Sequence, residues 1–256
     1  MFRKIIFSIV TLRCFLSFAQ TNDKTIPIDS LNIKHTKQIH FKGKQLIIPS
    51  VLIAFGAVGI GNDEIESYNS EIKEEVLENI DRKFTLDDYS QYLPAASVYA
   101  LGAMGIKGKN NYRDKTIILA TSYLIMGFTV NSLKRITMIE RPDHSSFGSF
   151  PSGHTATAFM GAEFLYQEYK DVSIWYGISG YVLAVQTGAF RMVNNRHWLT
   201  DVVAGAGIGI LSTKAAYWLY PSINKLLASK NKTDKKSAFI PYYDGNQIGF
   251  GFVTSF

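Results

Sequence analysis

The chain has 256 residues, which is enough for one sizeable domain and does not require two. Hydrophobic residues make up 46% and charged residues 19%, below the roughly 25% charge usual in soluble domains. Part of the net charge of +6 comes from Arg3, Lys4 and Arg13 in the acid-free segment 1–19. The remainder is nearly balanced, so composition gives no reason to expect a nucleic-acid partner.

The N-terminus has the features of a secretory leader. Two basic residues precede an apolar run, which ends in small residues at Ser17 and Ala19. We therefore predict a signal peptide over residues 1–19, followed by a polar segment over residues 20–45. An uncleaved membrane anchor is the alternative, because Arg13 interrupts the apolar run.

Apolar blocks with few or no charged residues recur along the rest of the chain. They are Leu46–Gly61, Tyr92–Ile106, Thr116–Leu133, Thr155–Tyr169, Val172–Phe190 and Val202–Thr213, the last continuing to Tyr220. A bilayer core about 30 Å thick needs about 20 helical residues, with about 17 as a minimum. Thr116–Leu133 and Val172–Phe190 meet that length, and the others are short or marginal. The fold class predicted is all-α: a membrane-embedded bundle of about five or six helices. The alternative is the buried core of a soluble helical protein.

The C-terminal part differs in kind from these blocks. A lysine-rich stretch is followed by two apolar runs, Ile240–Tyr243 and Ile248–Val253, around an Asp-Gly pair at 244–245. This pattern is typical of a β-hairpin. We predict a helical domain over residues 46–220 and a basic segment with a hairpin tail over residues 221–256.

Loop charges predict an orientation in the membrane. Asn62–Ser90, taken as a loop, holds ten acidic and three basic residues, whereas Lys107–Lys115 holds four basic residues and one acidic residue. Lys and Arg are enriched in cytoplasmic loops, so we expect the loop after Thr116–Leu133 to face outward. Leu46–Gly61 does not fit this count if the leader is cleaved. We therefore expect that block to dip into the membrane rather than cross it.

Three polar clusters interrupt the apolar chain, and the first contains Lys134 and Arg141. They are seven residues apart, which is two helical turns, so we expect both side chains to converge on one anion. Pro142 is expected to end the helix. Taken alone, basic residues after an apolar helix are also typical of interfacial anchors.

The second cluster is the tetrapeptide over residues 151–154, at the start of a predicted helix. Ser152 and Gly153 would present free backbone N–H groups, a feature that suits phosphate oxygens. His154 would then lie at the rim of the site. A plain helix start is the alternative for this tetrapeptide alone.

The third cluster contains Arg191, His197 and Asp201. His197 and Asp201 are four residues apart and would be adjacent on one helical face. The carboxylate can accept the Nδ1–H of His197 and leave Nε2 as a nucleophile, while Arg191 can make a two-pronged contact with phosphate. An ordinary pair on a helix surface is the alternative.

In this order, Lys134-x6-Arg141-Pro142, Pro151-Ser152-Gly153-His154 and Arg191-x5-His197-x3-Asp201 resemble the signature of the type 2 phosphatidic acid phosphatase family. Its superfamily also includes bacterial acid phosphatases and vanadium haloperoxidases. The resemblance covers about residues 46–220. Phe190 stands where the family usually has a serine, and we expect it to change the wall of the pocket.

The resemblance implies a role for each cluster. Phosphate would be held by Lys134, Arg141, Arg191, Ser152 and Gly153. His197, oriented by Asp201, would attack phosphorus, and His154 would protonate the leaving alcohol and then activate water. No metal and no cofactor are expected, because three fixed cations take the place of Mg²⁺.

The function expected is hydrolysis of a lipid phosphomonoester or pyrophosphate, with the membrane and a lipid phosphate as partners. The expected location is a bacterial inner membrane, with the site facing the periplasm, and the oligomeric state is left open. One alternative is a soluble periplasmic acid phosphatase or vanadate-dependent haloperoxidase. Another is a non-catalytic membrane scaffold.

Overall fold

The computed structural model describes residues 43–79, 85–230, 237–243 and 248–254. These residues form eight α-helices and one two-stranded sheet. The helices are α1 (Ile47–Val58), α2 (Asp63–Asn79), α3 (Asp87–Ser90), α4 (Leu93–Ala103), α5 (Tyr112–Thr137), α6 (Gly153–Tyr169), α7 (Ile174–Val193) and α8 (Leu199–Lys230). The strands are β1 (Ser237–Tyr243) and β2 (Ile248–Thr254). The predicted signal peptide lies outside the described residues.

Helix α6 is the centre of the bundle. Most of its residues are buried, and it packs against α4, α5, α7 and α8. Phe164 and Tyr169 of α6 join Val98 of α4 and Ile118 of α5 in one apolar cluster. The predicted all-α bundle is confirmed, and the helices beyond the expected five or six include α2 and α3.

Glycines bring α8 into backbone contact with α6. A Cβ on Gly209 would lie 2.2 Å from the Ala156 carbonyl oxygen, and one on Gly205 would lie 2.5 Å from the Ser152 carbonyl oxygen. Small residues of this kind let helices approach closely in lipid. The first turns of both helices therefore meet, and the Ser152 N–H donates to the Asp201 carbonyl oxygen at 3.0 Å.

Within the described part of the chain, two helices are long and apolar enough to cross a membrane, by length and composition: α5 and the Leu199–Leu227 part of α8. Large apolar side chains on α5 face outward, with Leu124 74% and Phe128 77% exposed. Such faces suit lipid rather than water, so the bundle is membrane-embedded. Helix α7 corresponds to the predicted span Val172–Phe190 and has 20 residues. Its Gly, Ser, Tyr and Gln content makes it less apolar than the two helices named above.

The segment Asn62–Ser90, expected to be a loop, contains helices α2 and α3. Its acidic residues Asp63, Glu64 and Glu66 fall in the first turn of α2, where carboxylates interact favourably with the positive end of a helix. Helix α1 and the first part of α2 are bent by 94° at the break between them. At 12 residues α1 is about 18 Å long, too short to cross a bilayer alone.

The predicted hairpin is present. Strand β1 pairs antiparallel with β2, from Ser237 opposite Thr254 to Tyr243 opposite Ile248. The Asp-Gly turn at 244–245 lies outside the described residues. Helix α8 continues ten residues past Tyr220 and contains Pro221.

Candidate active site

Lys134 lies in the last turn of α5 and fastens the loop that follows it. Its Nζ donates to the carbonyl oxygens of Gly148 at 2.5 Å and Ser149 at 3.1 Å. The helix ends at Thr137, because Met138 takes the left-handed conformation at φ 49°. The prediction that Arg141 shares a helix with Lys134, and that Pro142 ends it, is therefore wrong.

Arg141 instead reaches a cavity of about 330 Å³ from the loop. The cavity is lined by Thr85, Asp87, Asp88, Arg141, His154, Arg191, Asn194 and Arg196. The buried Nε atoms of Arg141 and Arg191 have no hydrogen-bond partner among the described residues. Burial, then the charges of Arg191 and Arg196, lower the pKa of Arg141. Crowded cations with unused donors indicate a site for an anion.

Ser152 caps helix α6. Its side chain accepts the Thr155 hydroxyl at 2.9 Å and the Thr155 N–H at 3.5 Å, as an N-cap residue does. Ser152 is fully buried, and neither it nor Gly153 lines the cavity. The helix start is as predicted, and the proposed contact of these two residues with phosphate stays a prediction.

His197 and Asp201 are in contact, although His197 precedes helix α8 and does not share a face with Asp201. The His197 Nδ1–H donates to Asp201 Oδ2 at 3.3 Å, and the Trp198 N–H donates to the same oxygen at 3.0 Å. The Ser149 hydroxyl also donates to it. The same carboxylate therefore caps the first turn of α8 and orients the imidazole.

Burial keeps His197 neutral. It lowers the pKa of His197 to about 4; the contact with Asp201 opposes this shift, and the charges of Lys134 and Arg191 add to it. With Nδ1–H committed to Asp201, Nε2 carries the free lone pair. His197 is only 4% exposed and does not line the arginine cavity. The structure thus gathers Arg141, His154 and Arg191 in one cavity and buries the nucleophile candidate outside it.

Helix α3 brings two carboxylates that sequence reasoning counted only as loop charge. Arg191 Nη1 donates to Asp87 Oδ2 at 2.5 Å, and His154 Nε2 lies 3.0 Å from Asp88 Oδ1. Asn194, also missed, donates to Asp87 Oδ1 at 3.1 Å. A run of acidic residues gives no signal that two of them fold back onto a cationic site. Phe190, expected in the pocket wall, is not a lining residue.

Burial and then the charge of Arg191 lower the pKa of His154, whereas the contact with Asp88 opposes them. His154 is half-buried, with 31% of its side chain exposed. Its pKa is thus below the usual value, but the side chain can exchange protons with a molecule in the cavity.

Most of the candidate site lies in a region that is similar to known proteins. Residues 115–225 match the family model described as PAP2 superfamily. The matched range contains every motif residue from Lys134 to Asp201, and it begins after Asp87 and Asp88.

Two curated proteins resemble the chain over part of their length. It is 36% identical over 170 residues to the lipid A 1-phosphatase of Porphyromonas gingivalis, covering 63% of this chain and 38% of that protein. It is 29% identical over 109 residues to the bacitracin transport permease protein BcrC of Bacillus licheniformis, covering 37% and 52%. The chain therefore spans less than two thirds of the length of either relative.

Two solved structures align with part of the chain. One is the transmembrane PAP2-type phosphatidylglycerolphosphate phosphatase from Bacillus subtilis, at 23% identity and a TM-score of 0.46, covering 73% of this chain and 98% of that one. The other is LpxE of Aquifex aeolicus, at 23% identity and a TM-score of 0.46, covering 58% and 94%.

Proposed function

We propose that this chain, of which residues 115–225 match the PAP2 superfamily model, is a membrane phosphatase that hydrolyses a lipid phosphomonoester or pyrophosphate. The observation that carries the proposal is the cavity lined by Arg141, His154 and Arg191, together with the neutral His197 held by Asp201. This arrangement supplies anion binding, a proton donor and a nucleophile.

The reaction proceeds in two displacements. The Nε2 lone pair of His197 attacks phosphorus, the bond to the leaving oxygen breaks, and protonated His154 gives that oxygen its proton. His154, now neutral, takes a proton from water, which attacks the phosphohistidine. The P–N bond then breaks with its electrons returning to Nε2, and phosphate leaves. Because His197 is not in the cavity lining, phosphate binding must open a path to Nε2.

The cationic side chains supply the charge stabilisation. The phosphoryl group carries negative charge on its equatorial oxygens in the transition state. Arg141 and Arg191 each have an unused buried Nε, and Lys134 holds the loop that carries Arg141. Metal independence follows from this donor set, and a chelator tests it. EDTA should leave hydrolysis unchanged; loss of activity that Mg²⁺ restores would refute the proposal of metal independence.

The lipid nature of the substrate rests on the setting of the site. Helix α5 exposes apolar side chains such as Leu124 and Phe128, so a substrate held in the bilayer can reach the end of the bundle by lateral diffusion. Among the similar proteins are a lipid A 1-phosphatase and a phosphatidylglycerolphosphate phosphatase. We therefore include both of their substrates in a test panel with phosphatidic acid and a polyprenyl pyrophosphate.

The test of the proposed function is hydrolysis of this panel by purified protein in mixed micelles. Release of phosphate from at least one lipid, at a rate well above that from a water-soluble alkyl phosphate, is the expected result. The matched control is His197→Asn, which keeps a polar side chain but removes Nε2 as a nucleophile. Equal rates for parent and variant would refute the mechanism, and no release from any lipid would refute the function.

We further propose that the site faces the periplasm, as the loop charges predict. Both reactive loops, 138–152 and 194–198, lie at one end of the bundle, whereas the Asn110 N–H meets Glu168 Oε2 at 2.9 Å at the other end. Ser146 and Asp171 are exposed residues at opposite ends.

Single cysteines at these two positions, Ser146→Cys and Asp171→Cys, test the orientation in a Cys14→Ser background. An impermeant maleimide on intact spheroplasts should label the first and reach the second only after lysis. The reverse pattern would place the chemistry in the cytoplasm.

A further inference from the structure

Helix α3 (Asp87–Ser90) precedes the residues that match the superfamily, yet it contacts two members of the candidate site. The chain distance from Asp87 to Arg191 is 104 residues, and that from Asp88 to His154 is 66 residues. The two neighbouring carboxylates thus each meet a different residue of the proposed chemistry.

Asp87 is the buried member of the pair. It is 1% exposed, and both of its oxygens accept hydrogen bonds, Oδ2 from Arg191 and Oδ1 from Asn194. The contact uses Nη1 of Arg191 and leaves its Nε without a partner among the described residues. A guanidinium that is already held along one edge is pre-organised. Less free energy is then lost in ordering it when phosphate binds.

Asp88 is the exposed member, with 56% of its side chain accessible. Its Oδ1 lies 3.0 Å from His154 Nε2 and 3.9 Å from Arg191 Nη1. The contact with His154 engages one ring nitrogen and leaves the other for proton transfer. The charged groups that share the cavity with His154 are Asp87, Asp88, Arg141, Arg191 and Arg196.

Burial and then the charge of Arg191 disfavour a positive charge on His154, and a proton donor at this position must carry that charge. Asp88 is the carboxylate in direct contact with the imidazole, so it provides the main opposing field. Its contribution is reduced by solvent screening, because more than half of its side chain is exposed.

We propose that Asp87 and Asp88 form a positioning pair for this site: Asp87 fixes the guanidinium of Arg191 for phosphate, and Asp88 orients and charges the imidazole of His154. The inference rests on the proposed function, because it assigns the pair to that reaction. The proposal also predicts a different kinetic effect for the loss of each carboxylate.

Asp87→Asn should raise KM and the inhibition constant for orthovanadate by roughly tenfold, the value of one lost charge-assisted hydrogen bond, with kcat less affected. Asp88→Asn should leave KM nearly unchanged. It should move the alkaline limb of the pH–rate profile to lower pH by about half a unit to one unit.

The matched control is Glu74→Gln. Glu74 is an exposed residue of α2, so the change removes one negative charge of the same acidic segment without touching the cavity. It should reproduce the parent values. If Asp87→Asn does not give monodisperse protein, Asp87→Glu keeps the charge and lengthens the side chain, and it should raise KM without moving the alkaline limb.

Two results would overturn the positioning pair. One is an unchanged alkaline limb in Asp88→Asn. The other is a lower KM in either variant, which would mean that the carboxylates compete with phosphate for the cations. A titration of labelled histidine by NMR, assigned with His154→Asn, gives a readout without turnover. The His154 imidazole should titrate at lower pH in Asp88→Asn than in the parent, and an equal titration would refute the contact even if no substrate is hydrolysed.

Discussion

The candidate site contains two histidine–carboxylate pairs that differ in burial. In the pair of His197 and Asp201, the side chains are 2% and 1% exposed, and the partners are four residues apart. In the pair of His154 and Asp88, they are 31% and 56% exposed, and the partners are 66 residues apart. Both imidazoles contact a carboxylate, so the pairing alone does not set their roles. In the proposed mechanism, burial keeps His197 neutral for attack on phosphorus, whereas exposure lets His154 exchange protons with the leaving group and water.

The largest effect should come from removing the buried imidazole. His197→Ala should lower steady-state hydrolysis by at least about a thousandfold, because no other group replaces the nucleophile. The fold should remain, which circular dichroism and size-exclusion chromatography can check. A well-folded variant that keeps more than about a thousandth of the parent rate would contradict this role.

Next in size is the carboxylate of the buried pair. Asp201→Asn should lower kcat by about 100- to 1,000-fold, because the imidazole loses the partner that fixes its tautomer. The same side chain closes the first turn of α8 through the Trp198 N–H, so a modest drop in Tm should accompany the loss. A large drop in Tm with an unchanged kcat per folded molecule would show that Asp201 acts only in folding.

The exposed pair should show a dependence on the leaving group. His154→Asn should slow hydrolysis of a lipid phosphate by about 100-fold, but slow an aryl phosphate such as p-nitrophenyl phosphate much less. The aryl oxide leaves without a proton, so the general acid matters less in that case. Equal losses on both substrates would argue that His154 binds phosphate rather than donating a proton.

The smallest expected effect is on the pH dependence of activity, in which the two pairs should act at opposite ends of the profile. His197 must be neutral, and its pKa is about 4, so activity should fall only as the pH drops toward that value. His154 must be protonated, and its pKa is lowered from the usual value, so activity should fall as the pH rises through a limb below 6.5. Comparing kcat/KM profiles of the parent and His154→Asn separates this limb from titration of the substrate. An alkaline limb that persists unchanged in the variant would exclude His154 as its source.

The sequence was sufficient for the parts of the site that are close along the chain. His197 and Asp201 meet because the helix begins between them and its first turn uses the carboxylate. It was not sufficient where the backbone turns without a local signal. The left-handed Met138 ends α5 before Arg141, and spacing by helical turns no longer applies beyond that residue.

The fold shows the same limit. Apolar blocks predicted α5 and the hairpin, because hydropathy and alternation are local properties. The acidic segment has no apolar pattern typical of a spanning helix, so its sequence predicts a loop where α2 and α3 lie. The contacts of Asp87 and Asp88 depend on tertiary structure, which places α3 against α7, and charge counting along the chain cannot reveal them.

The most direct test of the account is to trap the covalent intermediate. The parent, His154→Asn and His197→Asn are mixed with an aryl phosphate carrying radiolabelled phosphorus, whose leaving group needs no proton, and quenched in alkali, in which phosphohistidine survives. Label should appear on the parent and accumulate on His154→Asn, which lacks the base that activates water, and it should be absent from His197→Asn. Label on His197→Asn, or no label on the other two while they turn over, would contradict attack by His197.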